Sequence, residues 1–85
     1  MPCIEFKDET LLTELEDEIV LLNTNEGVYY SLDSVGKKMV ELCLELDSFD
    51  QVIDQLLSEY DTDRNQLETD LPNLIDSLKL EKLIE

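Results

Sequence analysis

Few residues in this chain could carry out nucleophilic or metal chemistry, and their spacing favours neither. The chain has two cysteines, Cys3 and Cys43, and no histidine. Without histidine there is no Ser–His or Cys–His pair to activate a nucleophile, and no imidazole ligand for a metal. The two cysteines also lack the close spacing of zinc and haem sites. We therefore expect no catalytic residue, no metal and no cofactor.

The carboxylates and cysteines have structural interpretations instead. Acid pairs such as Glu16 and Asp17 are expected by chance among 22 Asp and Glu residues. Cys43 falls in an apolar helical stripe and is expected in the core, whereas Cys3 is expected in a frayed N-terminal segment. Whether the two cysteines pair stays open at this point.

The charge balance excludes several partners, because six Lys or Arg stand against 22 acids and give a net charge of −16. Nucleic-acid binders gain affinity by neutralising phosphates, and anionic lipids would be repelled likewise. We expect neither nucleic acid nor membrane as a partner. A basic peptide or enzyme surface would be attracted, although the charge is equally consistent with solubility alone. With no signal-peptide pattern and no bilayer-length apolar stretch, a cytoplasmic protein is predicted.

The first part of the chain has the pattern of β-strands. A leucine-rich stretch at residues 11–15 predicts a short first strand, and residues 19–22 are a β-branched and aliphatic run of strand length. Val28–Leu32 is a second clear strand. The polar turn between these two runs ends at Gly27, where a positive φ is needed, so we predict a β-hairpin.

Three helical patterns follow the strands. Apolar residues recur at three- and four-residue steps over residues 35–46, 49–57 and 67–78, which describes one apolar face on each helix. Helix caps are expected from Asp33 or Ser34, from Ser48, and from Asp63 with Gln66. Strands followed by helices indicate an α+β fold, with a small antiparallel sheet packed on three helices.

One edge of this sheet is of functional interest. Val28–Leu32 follows the middle strand, so one of its sides is expected to be unpaired. Such an edge can bind an extended peptide as an added strand, pair with a second copy of the chain, or be covered by the N-terminal segment. On periodicity alone, coverage is the more usual arrangement.

A resemblance bears on this choice. Residues 15–85 resemble the PqqD-like family in the order and spacing of their motifs. The matching pattern is an apolar strand, a turn with Gly, a Tyr-Tyr pair, then Leu-Asp and a Val-Gly helix start. It is carried by Val20-Leu21-Leu22-Asn23, Gly27-Val28-Tyr29-Tyr30-Ser31-Leu32-Asp33-Ser34-Val35-Gly36, and residues 49–53, 56–61 and 78–84. The chain departs from the family at Lys82, where Gly is usual, which puts the cap of the last helix in doubt.

The resemblance implies a winged-helix-like domain over residues 1–85, with a three-stranded antiparallel sheet followed by three helices. Such domains are RiPP recognition elements, which serve ribosomally made, post-translationally modified peptides. They are non-catalytic, bind the leader segment of a precursor peptide by β-strand addition, and present it to a modifying enzyme or leader peptidase. A free-standing chain resembles partners of both lasso-peptide and PQQ-type biosynthesis, and we favour the lasso type.

The implied site is a groove between the third strand and the third helix. Its residues would be the strand backbone of Val28, Tyr29, Tyr30 and Ser31, and a helix wall of Leu67, Asp70, Leu71 and Leu74. The leucines are equally explained as core residues, whereas Tyr29 and Asp70 suit the rim of a groove. A homodimer through the open edge stays possible.

Two other families are alternatives. Acyl or peptidyl carrier proteins are also short and acidic, and Leu32-Asp33-Ser34-Val35 resembles their motif, in which Ser34 would carry phosphopantetheine. A carrier domain needs a long helix before that serine, where this chain predicts a hairpin. A winged-helix DNA-binding protein would need a basic third helix, but this one carries Asp63, Glu68, Asp70 and Asp76.

Overall fold

A computed structural model describes residues 3–85 of the chain. It confirms the predicted α+β fold, in which three strands precede three helices, and the winged-helix-like description is loosely consistent with it. The elements are β1 (Thr10–Glu14), β2 (Ile19–Asn23), β3 (Val28–Leu32), α1 (Ser34–Glu45), α2 (Phe49–Glu59) and α3 (Arg64–Leu80).

The sheet is an antiparallel meander in the order β1-β2-β3. Its register places Leu21 of β2 opposite both Leu12 and Tyr30. Alternate residues of β2 are buried, because one face of the sheet packs against the helices. The β2–β3 turn closes as predicted, with Gly27 at a φ of 70°.

The caps predicted for the helices are confirmed. Asp33 accepts a hydrogen bond from the backbone N–H of Gly36 at 2.9 Å, and Ser48 and Asp63 cap α2 and α3 in the same way. Ser34 is the first residue of α1, not its cap. Three strands precede Ser34 where the carrier alternative needs a long helix, so the fold disagrees with that alternative.

The core lies between the sheet and the three helices. α1 packs on β2 and β3 and on α2, which in turn packs on α3. Close approach of α1 to the end of β3 depends on Gly36, since a Cβ at that position would lie 3.0 Å from the Cβ of Leu32. The buried apolar residues of the core include Ile19, Leu21, Met39, Val40, Leu42, Cys43, Val52, Ile53, Leu56, Leu67, Leu71, Ile75, Leu78 and Leu83.

From Cys3 onward, where the structure describes it, the N-terminal segment is ordered, so the prediction of a frayed end was wrong. Ile4 is buried, and Phe6 forms an antiparallel bridge with Ile84. The backbone N–H of Cys3 donates to the carbonyl of Cys43 at 2.9 Å. This contact satisfies a carbonyl that the end of α1 leaves without a helical partner. The segment therefore joins the last turn of α1 to the C-terminal residues, and it does not cover β3.

The end of α3 answers the question raised by the missing glycine. Lys82 takes a left-handed conformation with a φ of 58°. The N–H of Leu83 donates to the carbonyl of Leu78, and the N–H of Lys82 donates to that of Lys79, both at 3.0 Å. These are the two hydrogen bonds of a Schellman motif. The usual cap geometry is thus formed with a non-glycine residue.

Candidate functional site

The edge of β3 is open along the whole strand. Within residues 3–85, β3 pairs only with β2, so its other side has no strand partner. Tyr29 and Ser31 point away from the core, and Tyr29 is 70% exposed. Tyr30 and Leu32 are half-buried and pack against the core. Since backbone N–H groups of a strand alternate in direction, half of those in β3 point at the free edge.

An open cavity of about 250 Å³ lies at the junction of the three helices, close to the end of β3. Its interior is mostly apolar, and it is named the cavity beside β3 because Val35, three residues after that strand, lines it; no residue of β3 itself does so. The lining residues are Val35, Met39, Leu56, Tyr60, Asp61, Thr62, Leu67 and Asp70. In strand addition, small apolar cavities near the added strand serve as pockets for its side chains.

The structure separates the four predicted residues of the helix wall. Leu67 and Asp70 both line the cavity, and Asp70 is half-buried at its rim. Leu74 is half-buried and packs on the core. Leu71 is only 1% exposed and lines a different cavity, between α2 and α3. α3 thus contributes to the cavity beside β3 through its first half.

Six of the eight lining residues were not predicted as site residues from the sequence: Val35, Met39, Leu56, Tyr60, Asp61 and Thr62. Met39 was assigned to the core stripe of α1, and it is indeed 5% exposed. Val35 is 38% exposed although it is apolar and lies in the first turn of a helix. A large apolar residue that stays exposed beside a cavity is a signal of binding that only the structure reveals.

Acidic groups dominate the mouth of the cavity. Asp61 and Asp70 line it, and no Lys or Arg does so among the described residues. The side-chain amide of Gln66 donates to Asp70 Oδ1 at 2.9 Å, which orients the carboxylate without neutralising it. Arg64 forms an ion pair with Asp54 instead. The cavity therefore presents uncompensated negative charge around an apolar interior.

Two further observations concern the described part of the chain. Within residues 3–85, no cluster of three or more potential metal-ligating side chains is arranged to hold a metal ion. No helix between Cys3 and Glu85 has both the length and the apolar character needed to cross a bilayer.

A small α+β domain with a free strand edge has the architecture on which peptide recognition by strand addition depends. The chain matches the family model described as coenzyme PQQ synthesis protein D (PqqD) over residues 18–84. It belongs to the PqqD family, as the motifs of residues 15–85 predicted.

Two solved structures resemble the chain over nearly its whole length. One is "TbiB1 in Complex with the TbiA(beta) Leader Peptide", with 31% identity and a TM-score of 0.86, covering 95% of this chain and 94% of the other. The second is "Lasso peptide synthetase B1 complexed with the leader peptide", with 26% identity and a TM-score of 0.89, covering 98% of both chains. No curated protein matches the chain.

Proposed function

We propose that this chain binds the leader segment of a ribosomally made precursor peptide as a fourth strand along β3. The observation that carries the proposal is the free edge of β3 in a fold shared with two leader-peptide complexes. In strand addition, backbone hydrogen bonds supply affinity and side-chain pockets supply selectivity. Both elements are available here without rearrangement of the sheet.

The cavity beside β3 supports a particular kind of leader. Leu67, Met39 and Tyr60 offer an apolar surface, which suits an aliphatic or aromatic side chain of the peptide. Asp61 and Asp70 at the mouth favour a Lys or Arg nearby in the peptide sequence. The net charge of −16 attracts a basic leader over longer distances and speeds its association.

The chain's role on this proposal is presentation, not catalysis. It holds the leader while a modifying enzyme or a leader peptidase acts on the precursor, and lasso-peptide biosynthesis is the pathway we favour. Support for the lasso type comes from the similar structure of a lasso peptide synthetase B1; both similar structures contain a leader peptide. Precursor peptides are made on ribosomes, so the proposed place of action is the cytoplasm.

A fluorescence-polarisation titration tests the proposal. The probe is a labelled leader peptide from the precursor gene beside this one, compared with a scrambled peptide of the same composition and charge. We expect saturable binding of the true leader and binding at least tenfold weaker for the scrambled peptide, about 1.4 kcal/mol. Equal binding of both would mean acidic attraction alone and would contradict leader recognition.

Proline substitution then tests strand addition itself. Tyr29→Pro and Tyr30→Pro remove neighbouring N–H groups, one directed at β2 and one at the free edge. Loss of the N–H directed at β2 breaks a hydrogen bond of the sheet, so the variant that keeps its thermal transition is the one that has lost the N–H at the free edge. We expect this variant to lose most of its leader affinity. Leu12→Pro and Thr13→Pro on β1, the opposite edge, are the controls, and the one that keeps its thermal transition should keep its leader affinity. A folded β3 proline variant with full affinity would exclude binding along this edge.

A further inference from the structure

Cys3 and Cys43 lie against each other where the N-terminal segment crosses the end of α1. The N–H of Cys3 donates to the carbonyl of Cys43 at 2.9 Å, and the Cys3 thiol donates to the carbonyl of Leu46, just after α1, at 3.4 Å. Disulfides span Cα separations of about 4.4–6.8 Å. Two cysteines joined by a direct backbone hydrogen bond meet that requirement without a change of backbone. Both are free thiols in the structure.

The two thiols differ in access. Cys43 is fully buried, whereas Cys3 is partly exposed. Cys3 also lines an open cavity of about 270 Å³ whose wall includes Phe49 and Lys79. A small reagent can therefore reach Cys3 through this cavity, while Cys43 has no surface exposed to solvent. The arrangement pairs an accessible thiol with a buried partner in contact with it.

The pKa values of the two thiols also favour reaction of Cys3 before Cys43. Burial raises the pKa of the Cys3 thiol, with a further contribution from the negative charge of Asp47. Burial, together with electrostatic repulsion from the neighbouring Cys3 thiolate, raises the pKa of Cys43 to about 12. Because the thiolate is the nucleophile in thiol–disulfide exchange, Cys3 reacts first.

We propose that Cys3 and Cys43 form an intramolecular disulfide, with Cys3 as the attacking thiol and Cys43 as the thiol that completes the bond. The oxidant is a small disulfide such as oxidised glutathione. The Cys3 thiolate attacks one of its sulfurs and displaces one glutathione thiolate, giving a mixed disulfide. The Cys43 thiolate then attacks the Cys3 sulfur and displaces the second glutathione. Two electrons pass to the reagent, and the two thiol protons end on the two released glutathiones.

This bond would fasten the N-terminal segment to α1. The same segment pairs Phe6 with Ile84, so the bond also secures the contact between the two ends of the described chain. The cavity beside β3 is lined by neither cysteine. Oxidation therefore acts on stability and leaves leader binding unchanged, and the proposal stands or falls independently of the proposed function.

Intact-mass spectrometry of the reduced, folded protein after incubation with oxidised glutathione tests the proposal. We expect the wild type to lose two hydrogen atoms and retain no glutathione, with one cross-linked peptide joining Cys3 to Cys43 after digestion. Cys43→Ser should stop at a glutathione adduct on Cys3, and Cys3→Ser should stay unmodified until it is unfolded. The oxidised wild type should melt on the order of 10 °C higher than the reduced form.

Three outcomes would overturn the proposal. One is a wild-type protein that accumulates the glutathione adduct under conditions where Cys43→Ser also does. Another is a folded protein that keeps both thiols although the same reagent modifies the unfolded chain. The third is a disulfide between two copies of the chain, which would show that the contact seen within one molecule does not react.

Discussion

The side-chain amide of Asn23 donates a hydrogen bond to the backbone carbonyl of Glu81, 3.2 Å away, and thereby joins the β2–β3 turn to the end of α3. It makes a second, longer contact with the carbonyl of Lys82. The oxygen of the same amide accepts from the N–H groups of Asn25 and Glu26 at 3.0 and 3.1 Å. Asn23 is the one polar residue buried in the described chain, and both ends of its amide are satisfied.

We expect Asn23→Ala to lower the free energy of unfolding by about 2–3 kcal/mol, because it leaves four backbone groups without their partner. Urea denaturation followed by circular dichroism measures this. Asn25→Ala is the matched control, since Asn25 is exposed in the same turn, and it should change stability by less than about 0.5 kcal/mol. Equal effects of the two substitutions would show that the link to α3 contributes little.

Replacing Lys82 by glycine should stabilise the protein. A non-glycine residue at a φ of 58° carries strain of about 1 kcal/mol, which glycine does not. The substitution also removes the exposed ion pair of Lys82 with Glu26, whose contribution is at most about 0.5 kcal/mol. Lys82→Ala is the control, because it removes the ion pair and keeps the strain. Thermal melts should place Lys82→Gly above Lys82→Ala; the reverse order would contradict a strained cap.

Asp70→Asn should weaken binding of a basic leader peptide by about two- to fivefold at low salt. The substitution keeps the shape of the side chain and its contact with Gln66, and it removes only the charge. Glu68→Gln is the control, because Glu68 lies on the same helix but lines the cavity on the other side. Fluorescence polarisation at low and high salt measures both variants. An Asp70→Asn effect that persists at high salt would contradict an electrostatic role.

Stability should fall at alkaline pH because of Cys43. Its pKa in the folded protein is raised from 9.0 to about 12 by burial. Between these values the unfolded chain releases the thiol proton and the folded protein keeps it, so each pH unit lowers the free energy of unfolding by up to about 1.4 kcal/mol. Below pH 9 both states are protonated and this dependence vanishes.

Cys43→Ala isolates the contribution of this thiol from that of every other group in the protein. The variant is expected to be less stable near neutral pH, because it leaves a small cavity. Its stability should decline less steeply than that of the wild type between pH 9 and 11, in urea titrations of the fully reduced proteins. Parallel declines would show that Cys43 ionises as readily in the folded protein as in the unfolded one.

Local rules were sufficient for most of the secondary structure. The β-branched and aliphatic run of residues 19–22, the strand pattern of Val28–Leu32 and the helical period after Asp33 place β2, β3 and the three helices correctly. The short polar side chains of Asp33 and Ser48 mark helix starts because they accept from the first free N–H groups. These features depend on residues within a few positions of one another, which a sequence displays directly.

The N-terminal segment was misjudged because its order is not local. Ile4 and Phe6 stand among acidic residues and form no clear period. They are held by Ile84 and by the end of α1, which lie far away in the chain. The contact of Cys3 with Cys43 belongs to the same arrangement, so the sequence left their pairing open.

The candidate site shows the same division. From the sequence, the motifs of residues 15–85 determined the family, and the hairpin determined that β3 ends the sheet. The helical spacing of Leu67, Asp70, Leu71 and Leu74 puts these four residues on one face of α3. The spacing alone does not show which other element packs against each of them. Only the tertiary structure assigned Leu67 and Asp70 to the cavity beside β3 and Leu71 to the other side. The reason is that α2 divides this face, and helix packing is decided by side chains distant in sequence.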